Sequence, residues 1–122
     1  NYKYCTETGL NVMAYMSIAR GYFARLAVGE PLPSSVSDIY SNPSNDKIYK
    51  FMKSVVEDGR YSYIDLSFMY IMAEKNFPSV PIASFSNMEQ LNECINCTKK
   101  SIPFDTIFQL SQLKKYVYFD NQ

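Results

Sequence analysis

Gly9-Leu-Asn-Val-Met-Ala-Tyr-Met-Ser-Ile-Ala-Arg-Gly21 and Val80-Pro-Ile-Ala-Ser-Phe-Ser-Asn-Met-Glu-Gln-Leu-Asn-Glu93 share one pattern. Each begins with an apolar run too short for a helix, as expected of a parallel strand covered on both faces. The runs predict strands near Asn11–Tyr15 and Val80–Ala83. Each then closes on small and polar residues. In α/β proteins ligands bind at the carboxyl ends of parallel strands, so both turns are candidate contacts.

Working outward, residues 1–8 read as the tail of a helix, with Gly9 at the left-handed terminating position. The connection over residues 22–43 reads as a long loop, with a short helix over the apolar patch Tyr22–Leu26 and open loop from Gly29 to Ser37. Long connections at the ligand end of a parallel strand are commonly functional lids, and disorder is an equally ordinary reading of such a stretch. Ile48, Phe51, Met52, Val55 and Val56 then recur at helical spacing from a start at Ser44 or Asn45, and Gly59 ends the run. Ser62 with Asp65 forms a capping-box pattern, opening a helix that is expected to bury Ile64, Phe68, Met69, Ile71 and Met72. Beyond the second strand, Asn87 with Gln90, or Ser86 with Glu89, caps a helix carrying Leu91, Cys94 and Ile95. Pro103 or Asp105 starts a last helix with Ile107, Phe108, Leu110 and Leu113 on its apolar side.

The 122 residues suffice for one domain, 1–122. Twelve Lys and Arg balance twelve Asp and Glu, and the charges are scattered, which argues against nucleic acid or an anionic membrane as partner. No apolar run approaches the roughly 20 residues of a membrane span, and the N-terminus lacks the apolar centre of a signal peptide. A soluble, cytoplasmic protein is expected. The first residue is Asn1, which fits a piece of a longer chain. Three cysteines are too few and odd in number for a disulfide framework. Cys94-x-x-Cys97 is expected well inside a helix, away from the N-terminus where a redox pair gains acidity. With no histidine, four zinc ligands cannot be assembled, so structural thiols and no metal are expected.

Ala14-Tyr15-Met16-Ser17-Ile18-Ala19-Arg20-Gly21 resembles Ala-Tyr-Ser-Pro-Leu-Ala-Arg-Gly on the seventh strand of the aldo/keto reductases, a family of NAD(P)-dependent (β/α)8-barrel oxidoreductases. Pro81, Ile82, Ser86, Asn87, Glu89, Gln90, Leu91 and Glu93 match that family's eighth strand and following helix, Pro-Ile-Pro-Gly-Thr-Ser-Asn-Pro-Glu-Gln-Leu-Glu-Glu-Asn. The resemblance implies an α/β fold, the C-terminal fragment of a (β/α)8 TIM barrel, helix-rich with about two parallel strands. A complete barrel takes about 250 residues, so it covers the last third to half of such an enzyme.

The same resemblance implies roles. The Tyr15 ring stacks on the nicotinamide, a task suited to a flat aromatic, or is simply one more barrel aromatic. Ser17, Ile18, Ala19 and Arg20 pass near the ribose and pyrophosphate, although Arg20 also fits a surface ion pair. Ser84, Phe85, Ser86, Asn87 and Gln90 precede or open a helix where the adenosine half binds, or form an ordinary cap. Ser84 and Gln90 stand where many relatives carry Lys and Arg, which leaves NADP or NAD open. The family's Asp, Tyr, Lys and His tetrad is not expected here: there is no histidine, and neither an Asp-x-x-x-x-Tyr spacing nor a matching lysine context is expected. No catalytic residue is therefore assigned. The implied function is the cofactor side of an NAD(P)H-dependent reductase of small aldehydes or ketones, inactive by itself. The alternative is a degenerate relative serving as a non-catalytic, mainly helical interaction module. An isolated piece of barrel with open strand edges is expected to self-associate.

Overall fold

A computed structural model describes residues 2–114. In chain order it contains α1 (Tyr2–Thr8), β1 (Val12–Ala14), a 3-10 turn (Ala19–Gly21), α2 (Tyr22–Val28), α3 (Ser34–Tyr40), α4 (Pro43–Val56), α5 (Tyr63–Met72), β2 (Ser79–Pro81), α6 (Met88–Cys97) and α7 (Phe104–Lys114). The two strands pair in parallel, with Val12 opposite Ser79, Met13 opposite Val80 and Ala14 opposite Pro81. Parallel pairing requires a crossover; here α2 to α5 supply it. Both strands end at the same edge of the molecule, and both chains leave that edge toward helices. Two neighbouring βα units of a (β/α)8 barrel have this arrangement.

The strands are shorter than expected, but the ladder continues through Val12 N–H to Pro78 O (2.8 Å) and Ile82 N–H to Ala14 O (2.9 Å). Helix α5 packs on β2 from one side. On the other face the partners Met13 and Val80 are 70% and 56% exposed. The expectation of strands covered on both faces is therefore corrected: among the described residues one face is open, the face that points inward in a closed barrel.

Helix starts follow side-chain chemistry. Asn42 accepts from Asn45 N–H (2.9 Å) and Pro43 takes the first turn, so α4 begins slightly before the expected Ser44 or Asn45. Ser62 and Asp65 form the expected reciprocal box: Asp65 N–H donates to Ser62 Oγ (3.1 Å), and Ser62 N–H to Asp65 Oδ2 (2.8 Å). The core has two centres. Met52, Leu66 and Leu110 join α4, α5 and α7. Phe68, Met69 and Cys97 join α5 and α6, with Ala83 and Phe85 packed against them.

Residues 22–43 are not a loop. They form α2, which runs on to Val28, and α3, which occupies Ser34–Tyr40. Gly29, Pro31 and Pro33 punctuate only the gap between two helices. Tertiary packing holds both: Tyr22 and Val36 are buried, and the Tyr22 and Tyr40 rings meet at 5.8 Å. Four smaller expectations also change. Leu66 is more fully buried than any residue named from periodicity, whereas Met72 is exposed. Ile95 and Phe108 are exposed as well. Cys97 is the last residue of α6 rather than an interior one, and the buried stripe of that helix ends on it. Among the described residues no helix is long and apolar enough to cross a membrane.

Candidate functional site

At the carboxyl ends of β1 and β2 the two connections face each other across an open cleft of about 640 Å³. The first wall is a tight turn. Met16, Ala19 and Arg20 adopt positive φ (58°, 48° and 54°), and Gly21 follows at 75°. A left-handed conformation costs a non-glycine residue about 1–2 kcal/mol, so neighbouring contacts must hold this turn. Tyr40 donates its hydroxyl to Met16 Sδ (3.5 Å), and the buried Tyr22 lies directly after Gly21.

Ser17 ties the two walls together. Its hydroxyl donates to Ala14 O (2.5 Å) and accepts from Ile82 N–H (3.1 Å), an amide that also donates to Ala14 O. One side chain thus joins the ends of both strands. Its single O–H is engaged inside the protein, which leaves only acceptor capacity toward a ligand.

The second wall is built on a helix cap. Gln90 N–H donates to Asn87 Oδ1 (2.9 Å), while Gln90 Oε1 accepts from Ser86 N–H (2.9 Å). Phe85 packs inward on Phe68, Met69 and Cys97 and shows its remaining surface to the cleft. Of the residues singled out from sequence, Tyr15, Ser17, Ile18, Arg20, Ser84, Phe85, Ser86 and Gln90 line this one cleft. Ala19 and Asn87 do not: Ala19 opens the 3-10 turn, and Asn87 sits behind the second wall as the cap of α6. Tyr15 is 78% exposed, with its ring open to solvent.

Sequence reasoning missed much of the remaining lining. Ala24, Arg25, Val28 and Glu30 come from α2 and its C-terminal turn, and Ile64 comes from α5. The charged pair is the important omission, with Arg25 Nη1 lying 2.9 Å from Glu30 Oε2. Gly29, three residues after the short helix expected over Tyr22–Leu26, carried the only available signal.

Comparison with protein families matches residues 2–115 to the description "Aldo/keto reductase family". The chain belongs to the aldo/keto reductase family. No curated protein matches it. The helix-rich fold with its two parallel strands is consistent with a fragment of that family's (β/α)8 barrel, and the cleft lies at the carboxyl ends of the strands.

The aldo/keto reductase tetrad has no counterpart in this cleft. The spacing Asp-x-x-x-x-Tyr does occur twice, contrary to expectation, at Asp58–Tyr63 and Asp65–Tyr70. Neither pair lines the cleft. Asp58 is held below the ordinary carboxylate range by its hydrogen bonds with Arg60 on the surface. Burial, with Tyr49 stacked alongside, pushes the Tyr63 phenol up to about 12, the wrong direction for a proton donor near neutrality. Asp65 is buried in the capping box and pairs with Lys100 (2.5 Å) across α5 and the end of α6. That pairing raises the Lys100 pKa.

Cys94 and Cys97 are equally quiet. Burial, then the neighbouring Asp65 charge, pushes Cys97 up to about 11, and burial raises Cys94 as well. A protonated, buried thiol at a helix C-terminus is neither a nucleophile nor a ready metal ligand.

The cleft presents an exposed aromatic face at Tyr15, small hydroxyl residues at Ser84 and Ser86, and two arginines for anionic groups.

Proposed function

We propose that this cleft holds a nicotinamide dinucleotide and that the chain supplies the cofactor side of an aldehyde or ketone reductase. One observation carries the reading: two segments some 70 residues apart in sequence, each ending a parallel strand, converge on one cleft through eight of the ten residues named beforehand. Tyr15 offers its ring to the nicotinamide. Ile18 and Arg20 border the ribose and pyrophosphate, while Ser17 holds the strand ends at fixed separation instead of donating to phosphate. Ser84, Ser86 and Gln90 border the adenosine half, with Asn87 fixing the helix behind them. When bound, the cofactor supplies hydride to a carbonyl carbon. The matching proton needs a tyrosine acid with lysine and histidine partners, and among the described residues lining the cleft there is neither lysine nor histidine, so the 122-residue polypeptide by itself is expected to be inactive. The cofactor is NAD or NADP.

Titration of NADH and NADPH, followed by the cofactor's own fluorescence, tests the reading. Saturable binding is expected, weakened about tenfold in Tyr15→Ala through loss of stacking contact, with no change in melting temperature because Tyr15 is exposed. A folded, cooperatively melting protein that binds neither cofactor at millimolar concentration overturns it and favours the non-catalytic helical module.

A further inference from the structure

Helix α2 ends in a Schellman motif: Gly29 is left-handed at φ 69°, its N–H donates to Leu26 O (3.3 Å), and Glu30 N–H donates to Arg25 O (3.0 Å). This motif always brings the residue after the glycine over the residue five positions earlier. In most helices that contact is apolar. Here it joins a carboxylate to a guanidinium, and both residues line the cleft. Arg25 lies beside the turn: a Cβ at position 21 would meet its Nε at 3.7 Å, an ordinary contact, so glycine is required there by its φ of 75° rather than by space.

Arg20 and Arg25 are the cations among the described residues lining the cleft, and Glu30 is its acid. A guanidinium fork matches a phosphate dianion through two parallel N–H bonds. The Glu30 carboxylate already takes one of those donors. Ser84 and Gln90, on the opposite wall, provide no positive charge.

We propose that Arg25 is a phosphate-reading residue of this cleft and that Glu30 is its resident competitor, so that the chain's own carboxylate sets selectivity against a phosphate monoester on the ligand. The proposal rests on the cofactor reading above and names the group concerned, the 2′-phosphate that distinguishes NADP from NAD. The phosphate must displace Glu30 from an exposed ion pair. Pairs of that kind are weak, so the expected penalty is a modest factor rather than exclusion.

Calorimetric titration of NAD and NADP against the wild-type chain, Glu30→Gln, Arg25→Gln and the double variant tests this. Glu30→Gln should raise the ratio of NADP to NAD affinity about threefold to fivefold. The double variant should lose that gain and match Arg25→Gln. An unchanged ratio in Glu30→Gln overturns the proposal. So does a gain that persists in the double variant, because the effect is then general charge repulsion rather than competition for Arg25. Failure of every variant to bind NAD overturns the cofactor reading itself, whereas NAD binding with an unmoved ratio overturns only the selectivity device.

Discussion

The two strand-to-helix connections that face each other across the cleft are built on opposite principles. The second runs from Ile82 to Asn87 in a few residues and ends in a helix capped by a side chain, Asn87 on Gln90 N–H. The first takes a left-handed turn through Ala19, Arg20 and Gly21, and then two helices, α2 and α3, neither with a side-chain cap. One connection is stabilised by local hydrogen bonds. The other holds strained backbone through packing around Tyr22, Val36 and Tyr40, and it carries the charged groups of the cleft.

Substitutions should separate the two principles. The largest effect is expected beneath the second wall, at Asp65→Ala. This change removes the acceptor for Ser62 N–H and the ion partner of Lys100, the contact that anchors the end of α6 to α5. A loss of about 2–3 kcal/mol is expected, read from the urea midpoint. A loss under about 0.5 kcal/mol would show that apolar packing at Phe68 and Cys97 alone holds α6.

Asn87→Ala comes next, at about 1 kcal/mol, the ordinary value of an N-cap. Equilibrium denaturation measures it, and cofactor affinity should follow only through the position of Ser86 and Gln90. No change in stability would mean that the second wall, like the first, depends on packing.

The smallest effect has the opposite sign. Arg20→Gly relieves a left-handed residue and should raise stability by up to about 1 kcal/mol, offset in part by the added freedom of the unfolded chain. Thermal melting detects the shift. A clear fall in melting temperature would mean that the Arg20 side chain, rather than the packing of α2 and α3, holds the turn.

This asymmetry also explains what was legible. The Ser62–Asp65 box, the Asn87 cap and the parallel strand pair could be read because each depends on residues close together in sequence or on a short apolar run. Helix α3 could not: Ser34–Tyr40 has a weak pattern between prolines and becomes helical where Val36 finds a buried site. The buried Leu66 was passed over for Met72 because periodicity identifies a stripe and not its centre. Arg25 escaped notice for a related reason, since its relevance arises only once α2 stands beside the β1 turn.

By itself, the sequence determined that two strands end in polar turns, where most helices start, which family the chain resembles, and that histidine chemistry is absent. Those are properties of composition, spacing and local hydrogen bonding. Only the tertiary structure decided that turns so distant in sequence form one cleft, that Ser17 uses its hydroxyl to join Ala14 and Ile82, and that Arg25 enters the site already paired with Glu30. Each depends on where packing brings together groups whose partners are not their sequence neighbours, and a one-dimensional pattern carries no record of that distance.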